Sequence, residues 1–166
     1  MKIIPLLIKE FENEAKTTRK FLDLVPEEKF DWKPHEKSMS LKRLSVHIAE
    51  LASWPDMVIK TEGLDFAESD YKPTPVENAE ELKDLLEESY EKGLKAFQST
   101  DEQILNKTWT MRNGKQVISE NTKYEMIRHS FSQTIHHRAQ LGVYLRLLDI
   151  PIPGSYGPSA DDQQFA

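Results

Sequence analysis

Four stretches of this chain repeat apolar side chains at three- and four-residue intervals, and polar segments separate them. That interval is the period of an α-helix, so the fold must bury helix stripes against one another. The first stretch runs from about Pro5 to Leu24, with Leu6, Leu7, Phe11, Ala15, Phe21 and Leu22 on it. Pro5 suits a first helical turn. The second follows Ser40, a good N-cap, and carries Leu41, Leu44, Ile48, Leu51 and Ala52. Pro55 is expected to kink or end that helix near Trp54. Asn78 with Glu81 reads as a capping box and opens the third, which runs to about Ser99 through Leu82, Leu85, Leu86, Tyr90, Leu94 and Phe97. Thr122 with Glu125 repeats that signal and opens the fourth, which runs to about Leu148.

Between these stretches, Val25–Ser40 and Gly63–Pro75 read as connections. Trp109 to Ile118 reads as a short hairpin, because Asn113-Gly114 is a strong turn signal with apolar residues on either side. Helices of roughly twenty residues are about 30 Å long and need each other's stripes. The expectation is an all-α fold, one domain over residues 1–166. It is a four-helix bundle with a crossover connection and a minor β-hairpin before the fourth helix. The tail from Pro151 to Ala166, with its prolines and glycines, is expected to lie as a strap.

Composition removes several functions. The formal net charge of -6 argues against a general nucleic-acid binder, which needs a basic surface. The chain has no cysteine, so thiolate catalysis, disulfides and Fe–S clusters are excluded, and any metal must take N and O donors. No segment approaches a membrane span, and the N-terminal apolar run is too short for a secretion signal, so a cytoplasmic protein is expected.

The histidines carry the chemistry. The fourth helix holds His129, Gln133, His136, His137 and Gln140, while His47 lies in the second. Residues four apart share a helix face, so Gln133 and His137 are neighbours. His136 is turned from His137 by about 100°, and His129 lies about 12 Å from it along the axis. His47, Gln133 and His137 therefore form the compact donor set, if the second and fourth helices pair. Three protein donors with an open position is the plan of a catalytic metal site. Glu50 and Gln140 are candidates to accept the ligand rings' other N–H. His129, His136 and Arg138 are candidates to line a pocket or support the donors, with Arg138 free to hold an anion or to pair with an acidic residue. His35 reads as a solvated residue. Each histidine also has a plainer reading as a packed or boundary side chain.

At these residues the chain resembles the DinB/YfiT-like superfamily. The run His137-Arg138-Ala139-Gln140-Leu141-Gly142-Val143-Tyr144-Leu145-Arg146 is similar to that family's His-Arg-Gly-Gln signature. Trp32-Lys33-Pro34, then Ser38-Met39-Ser40-Leu41 and His47-Ile48-Ala49, resembles the lead into its first ligand histidine. The ending Pro153-Gly154-Ser155-Tyr156-Gly157-Pro158-Ser159-Ala160-Asp161 resembles the tail of one branch. The resemblance implies a four-helix bundle, commonly a homodimer, holding a divalent ion, nickel or zinc, through three histidines. It implies a small-molecule substrate, with a low-molecular-weight thiol as cosubstrate in S-transferase relatives; an isomerase of maleylpyruvate is another relative. Carried over, His47 and His137 take two ligand positions. The third is Gln133 here, and Ala139 replaces a glycine. An amide oxygen is a weaker donor than imidazole, so three outcomes are open: a weaker site with Gln133 as ligand, a water at that position while His129 or His136 swings in, or a lost metal and a binding pocket. Two expectations follow: a divalent-metal-dependent S-transferase or hydrolase, or a non-catalytic bundle that binds a small molecule or dimerises.

Overall fold

A computed structural model describes residues 2–163. Among the described residues there are five α-helices and a small sheet, with two short 3-10 turns at Glu27–Lys29 and Glu102–Asn106: α1 (Ile4–Leu22), α2 (Leu41–Leu51), α3 (Trp54–Lys60), β1 (Gly63–Asp65), α4 (Ala79–Gln98), β2 (Thr108–Asn113), β3 (Gln116–Thr122) and α5 (Lys123–Leu147). The protein is therefore mostly helical with a three-stranded sheet, and it has one helix more than the four expected. The extra one comes from the second stretch. It stops at Leu51 and restarts at Trp54, with Pro55 in the first turn of α3. Proline has no N–H to give, and a first turn needs none, so Pro55 starts a helix here instead of kinking one.

The caps follow the sequence. Ser40 Oγ accepts from the Arg43 N–H, and the Asn78 side chain accepts from the Glu81 N–H. Thr122 and Glu125 form a reciprocal capping box. Each satisfies donors that a helix start leaves open. At the other end of α5, Asp149 adopts a left-handed φ of 59°. Its N–H bonds Arg146 O and the Ile150 N–H bonds Leu145 O, the two contacts of a Schellman stop.

One core runs through the molecule. α1 packs on α4 and α5, and α2 and α3 each pack on α4 and α5. Phe11 stacks between Tyr90 and Phe131, and Leu41, Leu44, Ile48, Ile127, Leu141 and Leu145 are fully enclosed. Leu6, assigned to the first apolar stripe from its spacing, faces solvent, while Leu7 fills the core. Helix α4 comes so close to the break after α2 that a Cβ at Gly93 would stand 2.5 Å from the Ala52 carbonyl oxygen.

The hairpin is wider than its expected bounds and turns one residue later. Asn113 is still paired with Gln116, and Gly114, at φ 57°, and Lys115 make the connection. The expected connection after Gly63 supplies β1, which runs parallel to β2 and completes the sheet. Asp65 ties it down by accepting from the Gly114 and Ala67 N–H groups. Trp109, wholly buried, donates its indole N–H to Thr61 Oγ1. Among the described residues, no helix is long and apolar enough to cross a membrane.

Candidate functional site

The pairing of α2 with α5 brings His47 and His137 together. Their rings meet edge to face, 4.6 Å between centroids. Both are half-buried. Gln133, one turn before His137 on α5, places Oε1 3.1 Å from His137 Nε2. On the other side of the same ring, Nδ1 lies 3.0 Å from Gln140 Oε1.

Both amides present an oxygen to the ring, and only one of them can take its proton. A neutral imidazole has one N–H. With Nδ1–H donating to Gln140, Nε2 carries a lone pair, and it faces another lone pair on Gln133 Oε1. Two donor atoms that face each other suit one shared cation. In the metal-free protein, turning the amide over presents its NH2 to Nε2 and satisfies both groups. The imidazoles are also tuned for neutrality. Burial pushes the His137 pKa down, against the opposing hydrogen bond from Gln140. Burial also lowers that of His47, helped by the charges of His137 and Arg43, with Glu50 opposing. Neutral imidazole is the form that binds a metal. The donor set of two imidazoles and an amide oxygen thus fits a borderline divalent ion such as zinc or nickel. Among the described residues, no group of three or more His, Cys, Asp or Glu side chains is arranged to hold a metal ion, because the third donor here is an amide.

The other candidates have separate fates. His136 is exposed, its ring 4.9 Å from that of His137. His129 is exposed two turns away on α5. His35 is exposed and accepts from the Lys37 N–H. Glu50 is engaged away from the imidazoles; its carboxylate accepts from the Tyr71 hydroxyl at 2.5 Å and from the Thr74 N–H and hydroxyl at 2.9 and 2.8 Å. Arg138 is buried against α1. It pairs with Glu14 at 2.7 Å, donates to Glu14 O and Thr18 Oγ1, and meets the Tyr156 hydroxyl at 2.8 Å. Of its two expected roles, pairing with an acidic residue is the one the structure contains. A cavity of about 370 Å³ lies elsewhere, between the outer face of α5 and the tail, lined by Val143, Leu147 and Pro153 among others.

Two residues join the histidines that spacing did not single out. Arg43 lies one turn before His47 on α2, and its guanidinium sits 5.8 Å above the Tyr71 ring. Tyr71 comes from the connection before α4, and burial with the Glu50 hydrogen bond pushes its pKa up to about 12. The four-residue interval from Arg43 to His47 was a readable signal. Tyr71 had none, since a connection has no period.

A sequence profile of the DinB family matches residues 2–164. The fold is similar to that of a DinB-like protein from Bacillus subtilis, YjoA, at 19% identity and TM-score 0.70, covering 96% of this chain and 99% of that one. It is similar to a DinB-like protein from Bacillus cereus ATCC 10987 at 18% identity and TM-score 0.68, covering 90% and 95%. A third similar structure, assigned to the DinB family, is from Exiguobacterium sibiricum 255-15, at 22% identity and TM-score 0.70, covering 93% and 97%. No curated protein matches the chain.

Proposed function

This chain belongs to the DinB family, and we propose that it is a divalent-metal-dependent enzyme of that type, an S-transferase or hydrolase acting on a small molecule. The observation that carries the proposal is the meeting of three donor groups, His47, His137 and Gln133, from two helices. We read α2 and α3 as together filling one position of a four-helix bundle whose connections set that meeting. When bound, zinc or nickel supplies Lewis acidity and makes a nucleophile available at neutral pH. The chain's own part is to hold donors in the right protonation state. With Gln140 accepting the Nδ1 proton of His137, Nε2 is the free nitrogen. Burial keeps both rings neutral. Gln133 offers a hard, neutral oxygen in place of a third imidazole, which favours weaker binding and easier exchange of the remaining ligands.

The family resemblance also carries the proposal of a homodimer. Val143 and Leu147, one turn apart on α5, are 59% and 58% exposed, an apolar row that a second copy would cover.

Elemental analysis of tag-free protein, with zinc and nickel titration by calorimetry, tests the metal. One ion per chain is expected, lost in His47→Ala and in His137→Ala and kept in His35→Ala. If the wild type takes up no ion, or the two histidine variants bind as well as it does, the enzyme reading fails and the non-catalytic bundle stands.

A further inference from the structure

We propose that Arg43 docks the carboxylate of a small anionic substrate beside the His47–His137 pair, and so sets substrate class. The proposal rests on reading that pair as the reacting centre.

Four observations converge. First, Arg43, His47 and Glu50 recur at helical spacing on α2, so the guanidinium stands over the same face as the imidazole. Second, Arg43 occupies the first turn of α2, which holds no acidic residue. The helix dipole is positive there and disfavours a cation, so helix stability does not explain an arginine. Third, Nη1 of Arg43 is buried and has no hydrogen-bond acceptor among the described residues. Arg19, Arg128, Arg138 and Arg146 each meet a carboxylate, and Arg112, which does not, is exposed to solvent on β2. Buried guanidinium N–H groups are normally satisfied, and one left open on the helix face that carries His47 lacks its acceptor. Fourth, the nearest acid on that face is already engaged. Glu50 accepts from Tyr71 and Thr74, and Tyr71 packs its ring against the guanidinium while its hydroxyl holds Glu50. The aromatic face and a hydrogen bond with the Tyr71 hydroxyl steady the guanidinium, and neither neutralises it.

The ligand chemistry follows from the donor. One planar guanidinium fork matches one carboxylate in shape and charge. A phosphate usually recruits several cations or a row of backbone amides. Lys42, the neighbouring cation, is paired with Glu77 and lies over the Phe30 ring. The protein's net charge of -6 repels anions in general, so a saturable anion site has to be local.

The test uses metal-free, tag-free full-length protein at pH 7.5, titrated with succinate and separately with inorganic phosphate at constant ionic strength. The readout is the NMR signal of the Arg43 Nε–H and the His47 ring. Succinate is expected to shift both saturably, at least tenfold more tightly than phosphate. Arg43→Gln should weaken succinate at least tenfold, keep zinc binding, and melt no lower than wild type. Arg43→Lys should keep part of the affinity. Wild type that shows no saturable shift overturns the proposal, and so does phosphate binding more tightly than succinate. Undiminished succinate binding by Arg43→Gln also overturns it. So does a lowered melting temperature in both variants with no succinate shift in wild type, since that assigns Arg43 to the fold. Zinc binding without succinate binding sinks this proposal alone. Succinate binding without zinc binding sinks the metal reading and leaves the anion site standing.

Discussion

His137 Nε2 faces Gln133 Oε1 across 3.1 Å, and on the far side of the same ring Nδ1 faces Gln140 Oε1 across 3.0 Å. The imidazole has one N–H to share between two amides, which can turn over to suit it, so changes at position 133 should act on affinity more than on fold. Gln133→His supplies a third imidazole at the same helical step. Zinc affinity should rise by about 10–100-fold, the range seen when a metal site's supporting donors are changed. Competition with a chromogenic chelator measures it. Equal or weaker affinity in the variant would place the ion away from Gln133.

The second prediction concerns acid. Both site histidines have folded-state pKa values below the ordinary histidine value of about 6.5, chiefly through burial. In the unfolded chain they return to ordinary values. As pH falls below about 6.5, the unfolded state takes up protons that the folded site resists, so stability is lost on the acid side. Metal-free protein should melt progressively lower from pH 7.5 to 5. The double variant His47→Ala/His137→Ala should show a flatter profile, and His35→Ala should track wild type. Thermal melts across that range decide it, and parallel slopes for all three proteins would count against the buried-neutral assignment.

Much of this fold is legible in the sequence because its signals are local. Ser40, Asn78 and Thr122 cap helices through contacts three residues away, and the caps appear where spacing placed them. The break between α2 and α3 was less legible, since Pro55 is equally compatible with a kink and with a fresh first turn. The choice is made by α4, where Gly93 lets the backbone approach Ala52. Strand β1 was not legible at all. Three residues have no detectable period, and their partner β2 lies beyond the whole of α4. The hairpin turn slipped by one residue because the bulge between Met111 and Arg112 alters the register. At the site, interval arithmetic on one helix links Gln133, His137 and Gln140. It has no way to report that Tyr71 crosses to Glu50, or that Arg138 is spent on Glu14.

The third prediction tests that last contact. Arg138 is 2% exposed and pairs with Glu14, while the Tyr156 hydroxyl sits between them with a pKa pushed up to about 12 by burial and by the Glu14 hydrogen bond. Breaking a buried pair from one side leaves an uncompensated charge. Glu14→Gln and Arg138→Met should each destabilise by about 3–5 kcal/mol, and Tyr156→Phe by about 1 kcal/mol. Urea denaturation measures the differences. A loss below about 1 kcal/mol in both pair variants would show that the pair is solvated.

The fourth concerns the end of α5. Asp149 holds φ at 59°, a region that penalises side chains other than glycine, while its N–H completes the helix stop. Asp149→Gly should stabilise the protein by roughly 1 kcal/mol without disturbing zinc uptake. The same denaturation experiment reads it, and a loss of stability would mean that the aspartate carboxylate contributes more than its backbone strain removes.

The bridge from Tyr156 to Glu14 spans nearly the whole length of the polypeptide. A carboxylate in the first helix and a guanidinium in the last are joined by a phenol that only the tail supplies. A chain stopped short of the tail would carry an unfinished seam between its first and last helices, open to water and to quality control.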